Sequence, residues 1–566
     1  MSRRATAVLT VAVLALTVLP YLYARISTPP NLVYTGLMFD VPDHAQYWSW
    51  ITASRDSVFI SNTMTPEDNA AIFANPPMWA LAQAQTIFGL SFPVLFQWWR
   101  VLAIGLLVPA LVAFVGAMLP EKERRATALA IALLGAGFGW LLIVAKKIIG
   151  LPDVPWPTDL YTVEPNTFWS MLAYPHIALA QALILMTVIG AWLAYRKGGL
   201  GYWLLAAVSA AALSASHAYD LITIYAVLGL YGVVIWIRDR RFPRRLTAVG
   251  LVVLACSGPA ALYYERLTAN DPLWRAVLSQ YSNAGVWTPP HLHLIILMGA
   301  PLLLALAGAV SASSRPRRSS GEGTGAKTGL PRRSSGGGTG AKAGWSDERW
   351  FVVTWAATGL VLIYLPVVFQ IKLLSGWQFP IAILAAHGWH ERLGPALMPK
   401  ISPRPAVALL VLLVSSTNLY LFTWRFTELR RHSAPYYLHH DQLDVLGWVA
   451  QHTGKSDVVL AQPELGQFVP NYGGARAYLA HWAMTNRFFE RRANVERFFQ
   501  PTPPDDWRER LLTTEHVTFV IRTDWPDAPT ATFDPSGLPG FELAFARPRA
   551  QVYRFRPSEF ARRGGN

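Results

Sequence analysis

Cysteine is almost missing. The 566-residue chain holds one, Cys256, inside an apolar run. A lone thiol closes no intrachain disulfide and builds no thiolate metal cluster. Charge is scarce too: 15% of residues are Asp, Glu, Lys or Arg, against about a quarter in soluble chains. Membrane spans dilute charge in this way, because each takes roughly 20 apolar residues. No phosphate-cradling Gly-rich loop is present, so ATP is not the evident energy source. No His-x-x-x-His with an acidic neighbour marks a metal site. No cofactor is expected; a divalent metal stays open, without support in the sequence. Asn-x-Ser/Thr sites are lacking, which fits a bacterial plasma membrane.

What is present is apolar and aromatic. Hydrophobic residues make up 52%, and there are 23 Trp, a residue enriched at membrane interfaces. Lys and Arg outnumber Asp and Glu by 49 to 34, but the excess sits in short loops between apolar runs, which argues against nucleic acid. The N-terminal "MSRRATAVLTVAVLALTVLP" reads as an uncleaved first span. Apolar runs near 6–24, 93–118, 126–149, 176–195, 201–216, 219–237, 246–264, 291–312, 350–370, 378–394 and 405–424 predict about eleven spans.

Basic residues fall on alternate connections, which makes those cytoplasmic. The first loop, 25–92, and the tail then face outward, with the N-terminus inside. The duplicated Gly/Ser/Arg stretch within 313–349 reads as a disordered cytoplasmic insert. The expected fold is mainly α: a polytopic transmembrane helix bundle over 1–426, followed by an extracytoplasmic α/β domain over 427–566. In the tail, "DVVLA", "VTFVIRT" and "FELAFARPRAQVYRFRP" read as strands among amphipathic helices.

The residues that invite chemistry cluster at the outer ends of the spans. "FDVPDHAQYWSW" carries Asp40 and Asp43 around Pro42. Its local reading is a short helix capped by Asp40, with Pro42 in the first turn and Asp43 favouring the dipole. Glu67 and Asp68 after Pro66 read as helix-start acids. Asp153, Asp159, Glu164 and His176 follow in the next outer segment, and "SASHAYDLITIY" sets His217 three residues before Asp220. Cations are isolated: Arg100 near the start of the second span, Arg266 and Arg275 beside Glu265, and Lys372 at the end of the ninth. Ionisable residues near membrane depth are costly unless paired or in a wet cavity. Together they describe an outward-facing chamber in which cations hold a phosphate and a carboxylate takes a proton from a hydroxyl.

With "DVPDHAQYW", "YPHIALAQAL", "SHAYDLITIYAVLG", "KLLSGWQFPIAILAAHG" and the tail's "VVLAQPELGQFVPNYGGARAYLAHWAMT", the chain resembles the C-type membrane glycosyltransferases, the superfamily of lipid-linked mannosyl and aminoarabinose transferases. The resemblance implies sugar transfer from a polyprenyl-phosphate donor to an extracytoplasmic glycan, lipid or protein acceptor. It makes Asp43, and second Asp40, the base. Lys372, Arg100, Arg266, His176, His217, Asp220 and Glu164 are the candidates for holding donor phosphate or substrate. Two features depart from the family pattern: His44, not a second acid, follows Asp43, and Lys372 stands where an arginine is common. The alternatives are a lipid or polysaccharide transporter and a non-catalytic envelope-assembly protein.

Overall fold

The structure is a computed structural model, described over residues 1–151, 157–280, 288–310, 345–397, 402–524, 533–536 and 538–557. Asp153 and most of the Gly/Ser/Arg insert lie outside the described residues.

All eleven apolar runs contain helix. Seven stretches among the described residues are long and apolar enough to cross a membrane, and an eighth if the pair Lys122–Leu134 and Gly139–Ile149, bent by 49°, is one span. The difference from eleven lies in breaks and short helices. The 40-residue stretch Leu200–Asp239 is interrupted by a 3₁₀ turn at Ala218–Asp220, leaving helices Leu200–His217 and Leu221–Asp239. The runs near 350–370 and 378–394 give helices Asp347–Leu362 and Gln378–Gly388, of 16 and 11 residues. Each is short of the roughly 20 residues that span a bilayer alone. Pro109 and Pro259 sit inside long helices, as membrane-spanning helices tolerate.

The chain after the last long helix, Pro403–Leu429, forms a mixed sheet. Its strands are β5 (Val458–Ala461), β6 (Arg476–Ala477), β7 (Phe519–Thr523), β8 (Phe541–Arg547) and β9 (Ala550–Phe555), in the order β6-β5-β7-β9-β8. β5 runs parallel to β6 and β7, while β9 is antiparallel to β7 and β8, with Ile521 opposite Val552. β5 is buried along its whole length, as its unbroken Val-Val-Leu-Ala pattern requires of a two-face-covered strand.

This sheet region is not separate from the first loop. β1 (Leu32–Tyr34) pairs antiparallel with β4 (Tyr437–His439), and the loop's β2 (Phe59–Ile60) and β3 (Phe73–Ala74) form a small ribbon. Side chains stitch the two regions: Asn62 Nδ2 donates to the Met484 carbonyl at 2.9 Å, and Thr485 Oγ1 to that of Met64 at 2.7 Å. Apolar residues of both, among them Trp50, Met64, Phe468 and Met484, share one core.

Glu67 and Asp68 therefore play a part other than the expected one. The helix begins later, at Pro76, capped by Asn75. Glu67 instead accepts from Asn486 at 2.9 Å and from Arg491 at 2.8 Å, and Arg491 also reaches Glu515 at 3.0 Å. Asp68 stays exposed, 3.7 Å from Arg476. Arg491 is 1% exposed, so removing its charge leaves Glu67 and Glu515 without the cation that sits between them. Arg491→Met is expected to destabilise the protein by about 3 kcal/mol, measured as a lower melting temperature in detergent.

Candidate active site

The helix Val41–Ala53 has Pro42 in its first turn and Asp43 beside the positive end of its dipole. Asp40 precedes it in the left-handed region, at φ +42°, and makes no side-chain cap. Its Oδ2 instead accepts from the Tyr174 hydroxyl at 3.2 Å, and its carbonyl meets His44 Nδ1 at 2.8 Å. Asp40 thus bonds to the segment before the fourth apolar run, and Asp43 lies nearly one turn on.

Asp43 is held from the tail. Its Oδ1 accepts from His481 Nε2 at 2.8 Å and from Trp482 Nε1 at 3.2 Å. Two backbone N–H groups, of Ala483 and Met484, donate to His481 Nδ1 at 3.1 and 3.3 Å. Those donors need the lone pair on Nδ1, which puts the ring proton on Nε2 and aims it at Asp43. Neither of the bonds to Asp43 uses Oδ2.

The two aspartates differ in affinity for a proton. Burial works to raise Asp43, but the His481 hydrogen bond and the positive charge of Lys372 overcome it and hold the carboxyl well below the usual range. Burial, then the neighbouring charge of Asp43, pushes Asp40 up to about 8. The two shifts run in opposite directions, so Asp43 favours its ionised form and Asp40 its protonated form.

The raised value fixes a sign. Asp40 stabilises the fold fully only below the unfolded pKa near 4, and that contribution is lost as pH rises towards 8. Asp40→Asn keeps an acceptor for Tyr174 and does not titrate. Its stability is expected to gain on that of the wild type as pH rises from 5 to 8, by at most about 1.4 kcal/mol per pH unit, and then to level off. A thermal-shift series across that range measures the gap.

Asp43 lies on the wall of an open cavity of about 2350 Å³, formed where the first loop, several helix ends and the tail meet. His176, His217 and Lys372 line the same cavity, with Glu265 and Arg275 at its sides. The rest of the wall is largely aromatic and aliphatic, including Tyr47, Trp50, Trp99 and Phe369. The His176 and His217 rings stack at 5.6 Å. Behind them, buried Asp220 sits 3.6 Å from His217 Nδ1, and the Tyr219 hydroxyl meets that same nitrogen at 2.7 Å. Glu164 is likewise buried behind Lys372, with 2.7 Å between Oε1 and Nζ. It anchors the ammonium at the wall.

Two cations named from the sequence lie elsewhere. Arg100 is 3% exposed. Its guanidinium donates to the carbonyls of Thr17 and Met171 at 3.0 and 3.2 Å and lies over the Tyr21 ring. It ties the first two spans to the helix Thr167–Ala173 and does not line the cavity. Arg266 lines a different groove, with Tyr263 and Asn270, although its chain neighbour Glu265 faces the cavity. His481 and Trp482 are the residues the sequence reading left out. The signal available was "AHWA", a polar aromatic pair directly after an apolar strand. Among the described residues, no three His, Cys, Asp or Glu side chains gather as a metal cage.

No protein-family model matches the chain, and no curated protein matches it. Solved structures do. Over 98% of its length the chain is similar to the arabinofuranosyltransferase AftD from mycobacteria, at 17% identity and a TM-score of 0.55. Over 91% it is similar to an oligosaccharyltransferase from Archaeoglobus fulgidus, at 13% identity and a TM-score of 0.51. The chain has the C-type membrane glycosyltransferase fold. It spans 42% of the length of the arabinofuranosyltransferase and 69% of that of the oligosaccharyltransferase. ArnT from Cupriavidus metallidurans, bound to undecaprenyl phosphate, aligns over 98% of both chains at 13% identity and a TM-score of 0.49. The large cavity sits where the helix ends meet the sheet region, in a chain with seven or eight helical stretches, among the described residues, long and apolar enough to cross a membrane.

Proposed function

We propose that the protein transfers a sugar from a polyprenyl-phosphate donor to an acceptor hydroxyl outside the cytoplasm, with Asp43 as the base. The observation that carries this reading is the ionised Asp43 carboxylate on the wall of a largely apolar cavity that also holds Lys372. Two fixed donors hold Oδ1 and aim the carboxylate. Asp43 takes the proton of the attacking hydroxyl, the hydroxyl oxygen bonds to the anomeric carbon, and the bond from that carbon to the phosphate oxygen breaks. Attack from the side opposite the leaving group inverts the anomeric centre. Lys372 meets the charge that develops on the departing phosphate, where partial dryness strengthens the interaction. The aromatic and aliphatic wall suits a donor whose tail stays in the bilayer. The C-type fold agrees with this reading.

Topology follows from the same proposal: the N-terminus lies in the cytoplasm, and the first loop and tail lie outside. Residues 1–426 form the transferase bundle and 427–566 the extracytoplasmic domain, which contributes His481 and Trp482 to the cavity. The test is direct. Purified protein is incubated with radiolabelled polyprenyl-phosphate sugars and an extract of cell-envelope glycans. Release of the free lipid phosphate, together with label in the acceptor fraction, supports the reading; binding without release counts against it.

A further inference from the structure

Gln280 closes the helix Pro272–Ser279, which follows the long helix Arg244–Asn270. Buried Trp274 anchors this short helix, its ring stacked on Phe73 of β3 at 4.4 Å. The Gln280 amide is spent on the tail backbone. Nε2 donates to the carbonyls of Ala483 and Thr485 at 3.0 and 2.9 Å, and Oε1 accepts from the Phe488 N–H at 3.3 Å.

The first of these bonds leads to Asp43. The Ala483 carbonyl and the Met484 N–H belong to one rigid peptide plane. That N–H donates to His481 Nδ1 at 3.3 Å, and His481 Nε2 donates to Asp43 Oδ1 at 2.8 Å. The next peptide is pinned as well, where Asn62 Nδ2 reaches the Met484 carbonyl at 2.9 Å. Fixing both carbonyls fixes the direction of the N–H between them. A ring that accepts at Nδ1 carries its proton on Nε2, and each bond in such a chain polarises the next.

We propose that Gln280 is a positioning residue for Asp43, acting through the Ala483–Met484 peptide and the His481 ring. The proposal rests on Asp43 as the base. Gln280 does not line the cavity, so its influence on the carboxylate travels along this relay. Around Asp43 stand Asp40 and His44 on its own helix, Tyr174, His176 and Lys372 on the bundle side, and His481 from the tail. A change at Gln280 reaches Asp43 through the last of these. Burial acts to raise Asp43, and the His481 hydrogen bond is the largest influence against it. With the relay broken the ring is free to turn, and Asp43 keeps its proton to a higher pH.

The test titrates Asp43 itself. Infrared spectra of the full-length protein in detergent are recorded across pH, and subtracting the matching Asp43→Asn spectra isolates the band of its protonated carboxyl. The wild type is expected to show no such band down to about pH 4. His481→Phe, which removes the donor, is expected to show it at least about one pH unit higher than the wild type. Gln280→Met is expected to move it in the same direction by a smaller amount. Gln280→Asn keeps the amide but sets it back by one carbon; it is expected to shift less again, and serves if the methionine variant does not fold. Where lipid phosphate is released, its rate is expected to fall with the same pH dependence while KM holds. An Asp43 titration left unmoved by the Gln280 substitution, or by His481→Phe, overturns the proposal. A wild type that releases no lipid phosphate counts against the proposed reaction instead, and the infrared titration still decides the relay.

Discussion

Asp43→Asn is expected to lower the rate of lipid-phosphate release by about 10²–10⁴-fold, the usual contribution of a positioned general base. Asn keeps an oxygen for the donors on His481 and Trp482, so the side chain stays in place. What it loses is the charge and the ability to take a proton. Binding of the lipid-linked donor should therefore change little, because the phosphate meets Lys372. The expected pattern is a fall in turnover with KM nearly constant, in protein that melts close to the wild-type temperature. Single-turnover release of radiolabelled polyprenyl phosphate from detergent-purified protein reads the first quantity. A variant that turns over at wild-type rate would remove Asp43 from the chemistry. Asp40 makes the matching control. It bonds to Tyr174 and favours its protonated form, so Asp40→Asn should retain most of the release activity.

The helices were legible because a span announces itself by composition. About 20 apolar residues with flanking charge need no knowledge of neighbours. The strands of the tail were legible for a similar reason: short β-branched and apolar runs between turns mark buried strands. The faces of helices were not legible. Arg100 and Lys372 look alike in sequence, each an isolated cation next to an apolar run. Packing sends Arg100 onto Tyr21 and backbone carbonyls, and Lys372 onto the cavity wall. Glu265 and Arg266 are neighbours in the chain and line different hollows, because successive helical residues point about 100° apart. His481 and Trp482 reach Asp43 from more than 400 positions away in the chain, and no local pattern encodes that approach. The joint fold of the first loop and the tail hid it for the same reason. β1 finds its partner in β4 only after the whole bundle has been threaded between them.

The Lys372–Glu164 pair lets stability and catalysis be separated. Lys372→Met removes the charge that meets the leaving phosphate and is expected to cost about 10²–10³-fold in turnover, as loss of a single charge-stabilising donor commonly does. The same change strands Glu164, whose side chain is 6% exposed. An uncompensated buried carboxylate costs about 3–5 kcal/mol, so the single variant should also melt early. A slow enzyme that is also unstable says little about mechanism. The double variant Lys372→Met/Glu164→Gln resolves this. Replacing both members of a buried pair by neutral groups of similar size is often close to neutral for stability, and melting should recover towards the wild type. Turnover should not recover, because the positive charge is still missing. Recovery of both would make the pair a structural strut, and the cavity would then hold its phosphate by some other group, with Arg275 on the same wall the next cation to replace. Loss of turnover with restored melting, measured on the same preparations, ties the charge of Lys372 to the departing phosphate.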